Sequence, residues 1–119
     1  MTARLSIRID LTGREGACRV GPGKARLLEL IDETGSISAA GRAMAMSYRR
    51  AWLLVESLNT SFRAPVVDAQ SGGRRGGGAR LTAFGRELVQ RYRAIERAAA
   101  SAAEPELGAI VSELKPEKP

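Results

Sequence analysis

The chain has 119 residues, 44% of them hydrophobic, with 19 lysine and arginine side chains against 13 carboxylates. This length fits one domain with a modest core and excludes a large enzyme fold with a deep cleft. There is no histidine and one cysteine, Cys18. A serine–histidine or cysteine–histidine catalytic pair and an internal disulfide are therefore excluded. We expect no enzymatic activity, no cofactor and no metal site, and we interpret Cys18 as a small residue of a strand.

The positive charge is concentrated before residue 101. Residues 1–100 carry 17 basic and 9 acidic side chains, whereas residues 101–119 carry 2 and 4. Lys24 is the only lysine in the first segment, and arginine suits phosphate groups and guanine edges. The charge alone indicates either a polyanionic partner or a solvated positive surface. No apolar run is long enough to span a membrane and the first residues do not resemble a signal peptide, so we expect a cytoplasmic protein without a membrane partner.

The first half of the chain predicts a hairpin followed by three helices. Apolar residues alternate with polar ones over residues 4–11, and residues 17–20 can form the returning strand. A helix is predicted over 23–34, ending at Gly35. Ser36 is suited to cap a short helix that ends at Met44, and Ser47 to cap a helix over 48–61. The residues between them, 45–46, then form a tight turn.

The second half predicts another hairpin and a long helix. Residues 66–70 and 79–81 can pair as strands around the glycine- and arginine-rich loop 71–78. Thr82 is suited to cap a helix over about 82–103, which Glu104 and Pro105 interrupt. We therefore predict a mainly α fold with small β-hairpins (α+β), a domain over 1–103, and a tail over 104–119 that is a short amphipathic helix or disordered.

The order of these elements predicts a winged helix-turn-helix that binds double-stranded DNA. In this arrangement the helix beginning near Ser47 enters the major groove, and the second hairpin is the wing. Arginine can read guanine through a bidentate contact, while hydroxyl groups and free helix N–H groups can contact phosphate. The predicted DNA-binding residues are Ser36, Ser38, Ser47, Tyr48, Arg49, Arg50, Arg74, Arg75 and Arg80. Trp52 is predicted to pack in or near the core, and Leu53 to face outward.

The predicted long helix is longer than the core of so small a domain requires. Its apolar residues recur every three or four positions. This length favours a dimer seam, to which we assign Leu88, Tyr92, Ile95 and Ala99.

Three segments together resemble the N-terminal DNA-binding domain of the molybdate-responsive ModE family of transcriptional regulators, a winged helix of LysR-like type. These segments are Gly35–Ala40, Met46–Trp52 and the run from Gly72 to Thr82 with Gly85. The resemblance covers about residues 4–100. It implies transcriptional control by a homodimer, joined through the long helix, that binds a palindromic operator.

The sequence departs from the family pattern in two places. Family members bind molybdate in C-terminal domains, and no such domain fits after residue 103, so we expect a stand-alone form that does not bind molybdate. Position 45 is commonly glycine in such turns, and Ala45 would cost about 1 kcal/mol if its backbone is left-handed. The alternative to a sequence-specific regulator is an architectural or protein-recruiting winged-helix module with little sequence preference.

Overall fold

The computed structural model describes residues 1–13, 16–70 and 78–117. It confirms a mainly α fold with small antiparallel hairpins. The elements in chain order are β1 (Ile9–Gly13), β2 (Gly16–Val20), α1 (Pro22–Thr34), α2 (Ile37–Ala43), α3 (Tyr48–Ser61), β3 (Val67–Ala69), β4 (Ala79–Leu81) and α4 (Ala83–Val111). No helix in the described ranges is both long and apolar enough to cross a bilayer.

The first hairpin is shorter at its N-terminal end than the alternating pattern predicted. Its pairing runs from Ile9 opposite Val20 to Gly13 opposite Gly16. The partner strand stops at Val20 because Pro22 begins α1, so residues 4–8 have no strand beside them. The prediction of strand over residues 4–8 is therefore wrong, although Cys18 is a buried strand residue as predicted.

The core is built around α1. Five of the thirteen residues of this helix are buried: Ala25, Leu27, Leu28, Leu30 and Ile31. The helix ends as predicted at Gly35, whose left-handed backbone (φ 72°) lets its N–H donate to the carbonyl of Ile31 at 2.8 Å. Strand β4 docks beside this end, since the Ala79 N–H donates to the Gly35 carbonyl at 2.9 Å.

Helices α2 and α3 are joined by the tight turn that the sequence predicted. Ala45 has φ 55°, so a non-glycine residue occupies the left-handed region at a cost of about 1 kcal/mol. The turn is closed by the Met46 N–H, which donates to the Gly41 carbonyl at 2.9 Å. A Cβ on Gly41 would lie 3.1 Å from that of Ala51, which shows that the two helices cross closely.

A single amide side chain fastens the end of α3 to β3. The Oδ1 of Asn59 accepts the N–H groups of Val66 and Val67 at 2.7 and 3.0 Å, and its Nδ2 donates to the Val67 carbonyl at 3.0 Å. Strands β3 and β4 pair over Val67–Ala69 and Ala79–Leu81. The position of the second hairpin relative to α3 is thus set by hydrogen bonds as well as by the core.

The predicted interruption of the last helix at Glu104 and Pro105 is wrong, because α4 continues through Pro105 to Val111. Proline removes one helical hydrogen bond, here the one to the carbonyl of Ser101. Both Ser101 and Pro105 are exposed, so water can satisfy that carbonyl. The buried residues of α4, Gly85, Val89 and Tyr92, all lie in its first ten positions.

Candidate nucleic-acid interface

Two serine caps fix the beginnings of α2 and α3. The Ser36 hydroxyl oxygen accepts the Ala39 N–H at 3.0 Å, and the Ser47 hydroxyl oxygen accepts the Arg50 N–H at 3.1 Å. Both caps were predicted from the sequence. Each hydroxyl keeps a proton that it can donate to a phosphate oxygen.

Ser38 lies in the first turn of α2 and binds a side chain that sequence reasoning missed. Its hydroxyl oxygen accepts Nη1 of Arg42 at 2.9 Å, one helical turn away. This contact holds the Arg42 guanidinium beside the start of α2. The spacing of four residues between Ser38 and Arg42 was the available signal.

The first two turns of α3 present large side chains to solvent. Tyr48 is 58% exposed, Trp52 42% and Leu53 45%, and Arg49 and Arg50 are also exposed. Trp52 therefore lies outside the core, although more than half of its surface is covered, and Leu53 faces outward as predicted. The inward positions of α3 are Ala51, Val55 and Leu58, and these leave Trp52 outside the buried stripe.

Neighbouring arginines on α3 occupy different surroundings. Arg49 and Leu53 are four residues apart and share the exposed side of the helix. Arg50 and Leu54 instead line a depression that the first hairpin and the beginning of α1 complete. Arg8, Arg19 and Lys24 line the same depression, and sequence reasoning did not connect these residues with α3.

The second hairpin contributes one described cation to this region. Arg80 lies on β4 and is strongly exposed, with its Nε 3.8 Å from a carboxylate oxygen of Asp68 on β3. At that distance and exposure the pair contributes little stability, so the guanidinium remains available to another anion. The predicted contacts Arg74 and Arg75 lie outside the described residues.

The four predicted interface residues of α4 differ in what they contact. Leu88 is half-buried against the core, Ala99 is half-buried and Ile95 is 44% exposed. Tyr92 is only 1% exposed, and its hydroxyl donates to the Ile7 carbonyl at 2.6 Å. Its assignment to a surface between two copies is therefore corrected, because its packing is satisfied within its own chain.

An ion-pair network connects α1 to α4 next to Tyr92. Arg93 donates to Glu29 and Glu96, each at 2.7 Å, and its side chain is about 29% exposed. These hydrogen bonds raise the pKa of Arg93 above its ordinary value. The pKa of Tyr92 is also raised, first by burial and then by the nearby charge of Glu96, while Arg93 opposes the shift. The network fixes the first part of α4 against the helical core.

No group of three or more cysteine and carboxylate side chains that could hold a metal ion is found in residues 1–13, 16–70 and 78–117. The exposed chemistry of α2, α3 and the adjoining hairpins consists instead of arginine, hydroxyl and aromatic groups. These groups suit hydrogen bonding to phosphates and base edges. The elements and their exposed cations thus define an α+β chain with a candidate nucleic-acid surface along α3.

Comparison with known proteins identifies relatives of the chain. No family model matches it. The chain is 49% identical over 83 residues to the molybdenum-pterin-binding protein MopB of Rhodobacter capsulatus, which covers 70% of this chain and 30% of MopB. It is 38% identical over 94 residues to the molybdenum transport protein ModE of Azotobacter vinelandii, covering 79% of this chain and 33% of that protein.

A third relative is named as a transcriptional regulator. The chain is 36% identical over 78 residues to the transcriptional regulator ModE of Haemophilus influenzae, covering 66% of this chain and 31% of that protein. The chain thus spans about a third of the length of the curated relatives it matches. Its homologues are ModE transcriptional regulators and Mop molybdenum-pterin-binding proteins, and this similarity supports a relationship to the ModE family.

Proposed function

We propose that this chain is a cytoplasmic, non-enzymatic transcriptional regulator of the ModE family that binds specific sequences in double-stranded DNA. Its homologues include transcriptional regulators, which supports the regulatory role. The observation that carries the proposal is the exposed N-terminal half of α3, which follows a tight turn after α2. This is the arrangement of a helix-turn-helix, whose second helix enters the major groove.

The exposed side of α3 carries groups that can recognise base edges. Arg49 can donate two hydrogen bonds to guanine, and Leu53 can contact a thymine methyl group. Tyr48 and Trp52 are four residues apart, so these two exposed aromatic side chains share one side of the helix, next to the side that carries Arg49 and Leu53. Large apolar side chains in water are unfavourable, so a partner that covers them gains binding free energy.

The serine caps and the second hairpin supply the proposed contacts to the DNA backbone. Ser36, Ser38 and Ser47 lie at the beginnings of α2 and α3, where hydroxyl and N–H groups can bind phosphate. Arg80 and the wing residues Arg74 and Arg75 add positive charge. The formal charge of +6 on the whole chain favours association with a polyanion.

We also propose that the regulator is a homodimer on a palindromic operator, joined through α4. Leu88, Ile95 and Ala99 are the proposed contact residues. Two copies related by a two-fold axis would place two α3 helices on half-sites about one turn of DNA apart. The exposed Ile95 supports this proposal, because it lies on the helix beyond the part that packs on the core.

A selection from random DNA duplexes tests sequence recognition. We expect the wild-type chain to enrich a motif of two inverted half-sites. Arg49→Gln should weaken binding to that motif by about 1–3 kcal/mol and relax the preference at one position in each half-site. Arg97→Gln, which removes the same charge from an exposed position of α4, is the matched control and should enrich the wild-type motif.

Binding without any enriched motif would contradict sequence-specific regulation. It would favour the second candidate, an architectural or protein-recruiting module. The exposed Ile110 at the far end of α4 favours that candidate as well, since it offers an apolar surface to another protein.

A further inference from the structure

Four cations from separate segments surround one depression beside α3. Arg8 precedes β1, Arg19 lies on β2, Lys24 is in the first turn of α1, and Arg50 is in the first turn of α3. We call these four residues the cation cluster. The depression has a volume of about 420 Å³ and is open to solvent. Its remaining lining residues are Gly21, Pro22, Gly23, Met46 and Leu54.

The cation cluster has little compensating negative charge within the described part of the chain. None of the described residues that line the depression is acidic. Arg19 has a partner, since its Nε donates to Asp10 at 2.8 Å, but both side chains are largely exposed. Like charges around one depression repel each other, and this repulsion is relieved when an anion occupies it.

The segment that carries Arg8 is held in place by contacts on both sides. The Tyr92 hydroxyl donates to the carbonyl of Ile7, 85 residues away in sequence. The stem of Arg8 lies over Gly21, where a Cβ would come within 3.0 Å of the Arg8 Cγ. These contacts place Arg8 in the depression although its segment is not part of a strand. Gly21 also begins α1 without a side-chain cap, so the first N–H groups of α1 have no side-chain acceptor at that position.

The location beside α3 indicates which anion binds. The major groove is about 12 Å wide and is bordered by the two phosphate backbones. A helix lying in this groove therefore presents one side to the bases and its flanks to phosphates. Arg49 and Leu53 lie on the exposed side of α3, whereas Arg50 points to the depression that the first hairpin and α1 complete.

We propose that the cation cluster binds the phosphate backbone of DNA along the flank of α3, and that Arg50 contacts phosphate rather than a base. This inference rests on the proposed function and extends the DNA contact to the first hairpin and α1. The cluster would thus hold the flank of α3 against the DNA backbone through charge, without recognising any base sequence. Arg8 and Lys24 become backbone-binding residues, and Arg50 becomes distinct in role from its neighbour Arg49.

Salt titrations of DNA binding test this inference with the full chain. The probe is the duplex recovered by selection and a scrambled duplex of the same length, each titrated between about 50 and 200 mM salt. We expect Arg8→Gln, Lys24→Gln and Arg50→Gln each to weaken both duplexes by about three-fold to ten-fold and to reduce the salt slope by about 0.9. The motif enriched by Arg50→Gln should equal the wild-type motif. Arg97→Gln is the matched control and should leave the slope unchanged.

Each other outcome would overturn the inference. Wild-type affinity and slope in the Arg8→Gln and Lys24→Gln variants would show that DNA does not reach the cluster. A changed motif with an unchanged slope in Arg50→Gln would make Arg50 a base-reading residue. If the wild-type chain binds no duplex, the proposed function fails together with the inference, whereas failure of the variants alone leaves that function intact.

Free oxyanions provide the second arm of the experiment. Calorimetry with inorganic phosphate and with molybdate should show no saturable binding at millimolar concentration. Saturable binding that is lost in Arg8→Gln and Lys24→Gln, combined with unchanged DNA binding, would make the cluster a site for a free anion and overturn the inference.

Discussion

The two parts of α4 have a similar sequence pattern but very different surroundings. The first part, Ala83–Tyr92, contains every buried residue of the helix. The second part, Arg93–Val111, contains none, and Ile110 near its end is 64% exposed. An apolar repeat therefore predicts that a helix has an apolar face, but it does not tell which molecule covers that face.

The second part of α4 is accompanied by the N-terminal segment of its own chain. Residues 1–5 line a groove together with Ala100, Glu104, Leu107, Gly108 and Val111. Ile95 and Ile110 do not line this groove and remain exposed. We attribute the coverage of Ile95 to the second copy of the chain in the dimer proposed above. The first part of α4 would then stabilise the fold and the second part the assembly.

Two glycines of α4 offer the strongest test of this division. A Cβ on Gly85 would overlap the carbonyl oxygen of Val66, whereas a Cβ on Gly108 would meet no atom within 4 Å. Gly85→Ala should therefore lower the free energy of unfolding by about 3 kcal/mol. Gly108→Ala should raise it by up to about 1 kcal/mol, because alanine favours helix. Chemical denaturation at one protein concentration measures both, and a similar effect at the two positions would contradict the division.

The proposed dimer makes the second prediction. Ile95→Asp places a charge on the exposed apolar side of α4, where a partner would have to bury it. We expect the dimer dissociation constant, measured by analytical ultracentrifugation, to rise by at least about ten-fold, equivalent to about 1.4 kcal/mol. Helix content should remain that of the wild type.

Ala94→Asp is the control for that experiment. Residue 94 is exposed and precedes Ile95 by one position, about 100° around the helix. The same charge there should disturb the dimer less. A monomeric wild-type chain would disprove the assignment of α4 as the seam.

Tyr92 marks the boundary between the two parts and yields the smallest expected effect. Tyr92→Phe removes the hydrogen bond to the Ile7 carbonyl and should cost about 1 kcal/mol of stability at neutral pH. Burial raises the pKa of Tyr92 in the folded protein, so the folded state holds this proton more tightly than the unfolded chain. The associated stability is intact below about pH 10, the ordinary pKa of tyrosine, and is lost as the pH rises through the folded pKa.

Denaturation across alkaline pH measures this dependence. The wild-type free energy of unfolding should decline more steeply above pH 10 than that of Tyr92→Phe. Parallel declines would show that the ionisation of Tyr92 is not linked to folding.

Local signals predicted the helical frame of this protein well. Ser36, Ser47 and Thr82 each cap a helix as predicted, and Gly35 ends α1. These features depend on residues within one turn of each other, so a single sequence contains the necessary information. The sequence left open whether the backbone at Ala45 is left-handed, and the structure shows that it is, with φ 55°.

Non-local contacts account for the errors at residues 4–8 and at Tyr92, whereas the error at Pro105 has a local cause. The strand expected over residues 4–8 was lost because its partner ends at Val20, and Pro105 is tolerated because the helix around it is exposed. Tyr92 was assigned to a surface because its hydrogen bond to Ile7 joins positions 85 residues apart, and the helical pattern of α4 does not reveal such a contact. The convergence of Arg8 and Lys24 on the flank of α3 depends on the same long-range packing, and no spacing in the sequence encodes it.

The amide of Asn59 has a consequence for how α3 and β3 move. With three hydrogen bonds to the backbone of Val66 and Val67, it restrains β3 at the end of α3. In the proposed complex, the angle between the groove-reading helix and the base of the wing is thus fixed before DNA arrives. The two elements would then be preorganised for one groove geometry, and little conformational entropy would be lost between them on binding.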